Sequence, residues 1–259
     1  MIYKVRKFLN KVLRGRLLKI QAYFNEVQMD ELYGQAFYYY LKSDIGYNLF
    51  NKGEFEKKEL ALCERFINED SNILDIGANI GIHSVYFSQI ATKGNIISVE
   101  PQTHIYHVLI KNIENHHNIT PINVAIFTEP KITSFFVAED NAYSSLKDTQ
   151  KKKILKKQNV ITFPADYFKD IFPKIDFIKI DVEGLENDVV ESMKELMIQH
   201  KPIMFIEIYK GDNSNPDPEK TIQTIIDIGY EAYYVDDGEL KAYIEHNDLF
   251  PNHFFLPKK

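Results

Sequence analysis

The stretch Ile73-Leu74-Asp75-Ile76-Gly77-Ala78-Asn79-Ile80-Gly81 constrains this chain more than any other. An apolar strand ending in an acid runs into a turn with two glycines. A helix opens behind it, with Ile82, Val85, Tyr86 and Ile90 at helical spacing. Glycine is needed where backbone passes close to a ligand or takes a positive φ, and the first helical turn leaves N–H donors facing whatever binds there. The next apolar run ends at Glu100, nineteen residues beyond Gly81, and Pro101 follows. An acid at the tip of a second strand is placed to accept both hydroxyls of a ribose. Turn, context and acid together point to a nucleoside-containing cofactor. The turn does not follow the G-x-G-x-x-G dinucleotide pattern.

The same alternation continues along the chain. Short apolar runs at 72–76, 95–100, 122–127, 176–182, 202–209 and 231–235 read as strands, and most of the intervals carry helical periodicity, one of them with Leu185, Val189, Met193, Leu196 and Met197. Such a pattern predicts βαβ units around a doubly wound parallel sheet with helices on both faces. An antiparallel last strand is expected around 253–256. Between 128 and 175 the alternation lapses into two short strands, 132–137 and 159–164, and a lysine-rich run at 151–157 that reads as a solvated face. Residues 22–70 read as irregular helix with an aromatic cluster, Phe37 to Tyr40, in the core. This divides the chain into a helical N-terminal extension, 1–50, and a cofactor-binding domain, 51–259.

Charge is distributed unevenly. Seven of the 31 basic residues lie within the first 20 positions, which hold no acid, leaving 24 basic against 37 acidic side chains elsewhere. An acidic body argues against nucleic acid as a partner. The leading segment sets Ile2, Val5, Leu9, Val12, Leu13, Leu17 and Ile20 at helical spacing against Lys4, Lys7, Lys11 and Arg14. A basic amphipathic helix of this kind lies on an anionic membrane surface, joins a second subunit, or packs on its own domain. The lone Cys63 rules out an internal disulfide and, with no apolar run near the ~20 residues of a membrane span, predicts a cytoplasmic protein, at most peripheral to the inner membrane face.

Asp75-x-Gly77-x-x-x-Gly81 resembles motif I of the class I methyltransferases, which bind S-adenosylmethionine. The run Asp176-Phe-Ile-Lys179-Ile-Asp181-Val-Glu183-Gly184-Leu-Glu186 resembles the KIDVEGxE signature of the FkbM-type family. Gly53-Glu-Phe-Glu56 is similar to that family's turn ahead of motif I, Glu100-Pro101 to its ribose-binding pair, Asn123-Val-Ala125 to the segment after its third strand, and 202–207 to its P-x-x-x-x-E strand. The resemblance spans about residues 44–257 and leaves the basic helix outside. It implies a Rossmann-like, seven-stranded sheet and methyl transfer from S-adenosylmethionine to a hydroxyl of a sugar, glycan or secondary metabolite. The cofactor would be held by Asp75, Gly77, Asn79, Gly81, Glu100, Pro101, Asn123, Ala125 and Asp181. The competing readings are a nicotinamide-dependent oxidoreductase and a module that binds the cofactor without turnover.

Methyl transfer to a hydroxyl needs alignment of oxygen, methyl and sulfur and removal of a proton. Asp181 and Glu183 end the fourth strand with i, i+2 spacing that aims both carboxylates one way, so one is a candidate base and the other its partner. Alternatively, Asp181 binds the methionine amino group and Glu183 caps the next helix. His83, just inside the first helix, is a third candidate base; the alternative is a structural hydrogen-bond donor. Glu207 ends the fifth strand on the same edge and is a candidate substrate contact. The Asp-Asn pair of metal-dependent catechol enzymes is replaced by Glu207-Ile-Tyr209, so no metal is expected, although three acids on one edge could hold Mg²⁺. Deleting residues 1–20 tests the leading helix. Membrane attachment predicts that sedimentation with anionic vesicles disappears and, in the full chain, weakens with salt; a subunit contact predicts a salt-insensitive change in oligomeric mass; no change in either leaves a helix packed on its own domain.

Overall fold

A computed structural model describes residues 27–211 and 215–258; the basic segment 1–20 lies outside the described residues. The described chain opens with an antiparallel hairpin, β1 (Val27–Leu32) and β2 (Gln35–Tyr40), followed by helices α1 (Asp44–Lys52) and α2 (Lys57–Glu64). Residues 27–40 are therefore strand and not the irregular helix expected. The reason is the two-residue loop Tyr33-Gly34, in which both residues take positive φ, the geometry that closes a hairpin in register. Nor is this stretch a separate extension. Phe37, Tyr39, Leu49 and Phe50 are buried in the same core cluster as Val85 and Phe177 of the main body.

The main sheet begins with β3 (Ile73–Ile76), helix α3 (Ile82–Ile90), β4 (Ile96–Val99), helix α4 (Thr103–Asn112) and β5 (Ile119–Ile122). The chain then leaves it. The expected strand 122–127 splits at Asn123, and β6 (Ala125–Ile126) joins β7 (Lys131–Ala138) and β8 (Ile154–Phe163) in a separate three-stranded sheet of order β6-β8-β7. The insertion strands thus fall where the sequence places them, but β8 is ten residues long and takes in lysines of the basic run. The main sheet resumes with β9 (Phe177–Ile180), two short helices α5 (Glu186–Glu191) and α6 (Lys194–His200) where one was expected, β10 (Ile203–Glu207), helix α7 (Pro218–Ile228), β11 (Tyr230–Asp236), β12 (Glu239–Ala242) and β13 (Asn252–Pro257).

The order is β12-β11-β13-β10-β9-β3-β4-β5, with β13 antiparallel between β10 and β11. This is the doubly wound sheet with an antiparallel last strand, but with eight strands where seven were expected. The eighth, β12, is folded onto the edge by the Asp237-Gly238 turn, whose two residues have positive φ. Alternation along each central strand feeds the two faces. Ile73, Phe177, Phe205 and Phe254 face the helices α1 to α4, while Leu74, Ile178, Met204 and Phe255 face α5 to α7. Among the described residues no helix is long and apolar enough to cross a membrane.

The hairpin is pinned by one buried amide. Asn112 accepts from the Tyr38 N–H at 2.7 Å through Oδ1, and its Nδ2 donates to the carbonyls of Tyr38 at 2.9 Å and Ile80 at 2.7 Å. Since each buried polar group left without a partner costs about 1–3 kcal/mol, Asn112→Ala should lower the unfolding free energy by roughly 3 kcal/mol, measured by urea denaturation. A change below about 1 kcal/mol would mean that the apolar face and the Gln35 and Tyr33 hydrogen bonds hold the hairpin without the Asn112 side chain.

Candidate active site

At the C-terminal edge of the parallel strands lies a cavity of about 420 Å³, within the range of small-molecule sites. Its floor comes from the first glycine turn, and its roof from the insertion, through Phe135, Tyr143, Leu146 and Lys151.

One end of the cavity is built around Glu100. This side chain is buried, and its carboxylate accepts from the Asn79 N–H at 3.0 Å and the Gln102 N–H at 2.7 Å. Burial pushes the carboxyl up to about 7, against those two donors. Asn79 has φ +49 and, like Pro101, Ala125 and Ile126, lies on the cavity wall. Asn123 is set behind the wall, where its Nδ2 donates to the carbonyls of Glu100 at 2.8 Å and Pro101 at 3.1 Å. Its role is to hold the strand tip.

The glycines divide. Gly77 lies on the wall at φ +78, and a Cβ there would sit 1.8 Å from the carbonyl oxygen of Asp181. What it permits is the close approach of two strand ends. Gly81, at φ +89, is off the wall; its Cβ would meet Leu109 Cδ1 at 2.6 Å, so it serves the packing of α3 on α4. Asp75 is also off the wall. It is fully buried, accepts from Ser84 Oγ, and faces the ammonium of Lys179 at 3.6 Å. Lys179 in turn donates to the Gly77 carbonyl at 2.9 Å and lies 3.5 Å from Asp181. Burial opposes its charge, but Asp181 and Asp75 outweigh that and hold it above the ordinary lysine value.

The other end is acidic. Asp181, Glu183 and Glu207 bring carboxylate oxygens within 4.8 Å of one another. Burial, then the Asp181 charge, pushes Glu183 up to about 7, opposed by Lys151, whose Nζ lies 3.0 Å from Glu183 Oε2. Glu207 is likewise held well above the ordinary carboxyl value, by burial and then by the Asp181 charge, and shares a hydrogen bond with Asp181. Lys151 therefore does not belong to the solvated face expected of the basic run. His83 is not on the wall. It is buried against Phe87 and Phe205, with Nε2 3.2 Å from Glu56 Oε2, so its neighbour Glu56 reaches the cavity and the imidazole does not.

Glu56, Lys151, Lys179 and Tyr209 are the site residues that sequence reasoning missed. Only the turn at Gly53–Glu56 and the lysine of the KIDVEGxE run carried a local signal.

Residues 75–232 match the model of the Methyltransferase FkbM domain. The chain belongs to the FkbM methyltransferase family. A curated relative, hexuronic acid methyltransferase AglP of Haloferax volcanii, is 26% identical over 163 residues, 62% of this chain and 64% of that protein. A crystal structure of Methyltransferase FkbM from Methylobacillus flagellatus KT superposes with a TM-score of 0.50 at 15% identity, covering 80% of this chain and 46% of that one. Fibrillarin of Aeropyrum pernix, solved with natively bound S-adenosyl-L-methionine, gives 0.45 at 16% identity over 89% of this chain and 82% of that one. The chain spans just under two-thirds of the curated relative's length and less than half of the FkbM structure's. The class I methyltransferase fold of the family is the one described here. S-adenosylmethionine is the cofactor of the family, and the cavity offers it a fixed carboxylate at Glu100, an apolar stretch at Val124, Ala125 and Ile126, and the acids Asp181, Glu183 and Glu207.

The burial of Glu100 has a signed consequence. The folded protein holds that proton up to about pH 7, whereas an unfolded glutamate releases it near pH ~4.3. The folded state binds more protons between those values, so stability falls as pH rises through the window. Glu100→Gln carries no proton to lose. Its Tm should decline less than the wild-type value between pH ~5 and ~7.5, as read by scanning calorimetry; identical slopes would show that Glu100 is ionised throughout.

Proposed function

We propose that the chain is an S-adenosylmethionine-dependent O-methyltransferase whose acceptor is a hydroxyl of a sugar or glycan. The observation that carries this reading is the placing of Glu100 and the Asp181–Glu183–Glu207 group on one cavity wall. A ribose-type contact and a proton-accepting group then serve a single bound pair. The relative named for hexuronic acid methylation supports a sugar as the acceptor class.

Bound at Glu100, the cofactor supplies an electrophilic methyl on a positively charged sulfur. The chain's own residues do the rest. Glu183 takes the hydroxyl proton as the acceptor oxygen bonds to the methyl carbon and the carbon–sulfur pair returns to sulfur. A base with a value near 7 is matched to neutral pH. Asp181 lies 3.5 Å from the buried Lys179 ammonium and shares a hydrogen bond with Glu207, whose carboxyl is held well above the ordinary value by burial and by the Asp181 charge. Tyr209 and Tyr143 also line the cavity and supply aromatic surface of the kind that packs on the C–H groups of a sugar. His83 is removed from the wall by Glu56, so it ranks behind both carboxylates as the base.

Incubation with methyl-labelled S-adenosylmethionine and a panel of uronic acids, neutral sugars and cell-surface glycans tests the reading. Label should appear as an acid- and base-stable ether in a sugar fraction; label in amines or in no acceptor would refute it. Loss of a general base costs roughly 10²–10⁴ in rate. Glu183→Gln should therefore lower kcat by that factor with little change in cofactor affinity. If Glu183→Gln and Asp181→Asn both turn over near the wild-type rate, neither carboxylate is the base.

A further inference from the structure

We propose that Lys151, delivered by the insertion, is a positioning residue for methyl transfer: its ammonium favours the ionised form of the Glu183 carboxylate and aims it into the cavity. The inference rests on the reading of Glu183 as the base given above.

Several observations converge on Lys151. It lies in the loop joining β7 to β8, and it is the one cation on the cavity wall among the described residues. The side chains of Lys151 and Glu183 are 27% and 16% exposed, so their contact at 3.0 Å is largely withdrawn from water and is screened far less than an exposed pair. Nζ also lies over the rings of Tyr209 at 5.0 Å and Tyr143 at 5.8 Å. Both ends of the pair sit on unusual backbone. Gln150, just before Lys151, has φ +57, and Glu183 itself has φ +52. Such conformations cost energy and persist where the surroundings fix them. The loop is fixed at other points: the Tyr143 hydroxyl donates to Asp44 Oδ2 at 2.8 Å, Asn141 Nδ2 to Asn79 Oδ1 at 3.3 Å, and Lys147 Nζ lies 2.9 Å from Asp188.

The groups facing Glu183 show why a cation is needed. Asp181 lies on its own strand end, Glu186 at the start of α5, Glu207 and Tyr209 at the end of β10, and Tyr143 in the roof. The acids among these favour a protonated Glu183, as does burial; Lys151 alone opposes them. Without it the remaining neighbours would move Glu183 further toward its protonated form. Burial opposes the ammonium's charge too, yet Glu183 holds Lys151 above the ordinary lysine value, so it stays charged.

An opposite charge at this range lowers a carboxyl by about 1–3 pH units. In protein carrying ¹³C-labelled glutamate, with the Glu183 signal assigned through Glu183→Gln, Lys151→Met should move the Glu183 titration upward by at least about one unit. The acid limb of kcat should move with it, while affinity for S-adenosylhomocysteine stays within about twofold. Lys151→Arg, which keeps the charge, should restore both. A Glu183 titration unmoved in Lys151→Met overturns the proposal, and so does failure of Lys151→Arg to restore it. If the titration moves but the acid limb does not, Glu183 is not the base, and the reading beneath the proposal falls with it.

Discussion

The buried ammonium of Lys179 is the charge on which this site depends. It sits at the end of β9, hydrogen-bonded to the Gly77 carbonyl of the first turn and flanked by Asp75 and Asp181. Removing one partner from a buried pair typically costs about 3–5 kcal/mol, because the other charge is left uncompensated. Asp75 is therefore required without touching the cavity: it balances Lys179 and, through Ser84, ties the strand to α3. The acid of the first motif and the lysine of the second, 104 residues apart, form one ion pair. With Gly77 packed against the Asp181 carbonyl, this fixes the ends of β3 and β9 relative to each other and sets the position from which Asp181 and Glu183 project.

That wall is rich in carboxyl groups. Glu56, Glu100, Asp181, Glu183 and Glu207 all line the cavity, partly offset by Lys151 on the wall and Lys179 behind it. On the reading proposed above, those that are ionised suit a cofactor with a positive sulfur better than its product, in which the sulfur is neutral. The field that holds the reactant thereby weakens the hold on what remains after transfer.

Local pattern made most of the fold legible. The strand runs, the glycine turn and the KIDVEGxE stretch each carry their structure within a few residues, and the main sheet follows from their order. The hairpin was hidden because Phe37 to Tyr40 is an unbroken aromatic run that shows no period, and the decisive signal was the Tyr33-Gly34 pair ahead of it. Of the residues singled out in the sequence, Glu100, Asn79, Asp181, Glu183 and Glu207 line the cavity, whereas Asp75, Gly81 and His83 do not. Proximity in sequence to a glycine turn does not say which way a side chain points: those of Asp75 and His83 are buried in the protein, and Gly81, which has none, faces Leu109. Lys151 and Glu56 come from turns distant in sequence, and only tertiary structure brings them to the wall.

The insertion forms its own three-stranded sheet, with no ladder to the eight-stranded one. The loop between β7 and β8 can consequently lengthen, shorten or be exchanged without breaking a rung of the main sheet. Tyr143, Leu146 and Lys151 all hang from that loop, whereas Glu100 and its donors belong to the sheet edge. Part of the roof can thus diversify among descendants while the methyl donor's seat is inherited intact, a division of labour that lets one scaffold explore new acceptors one loop at a time.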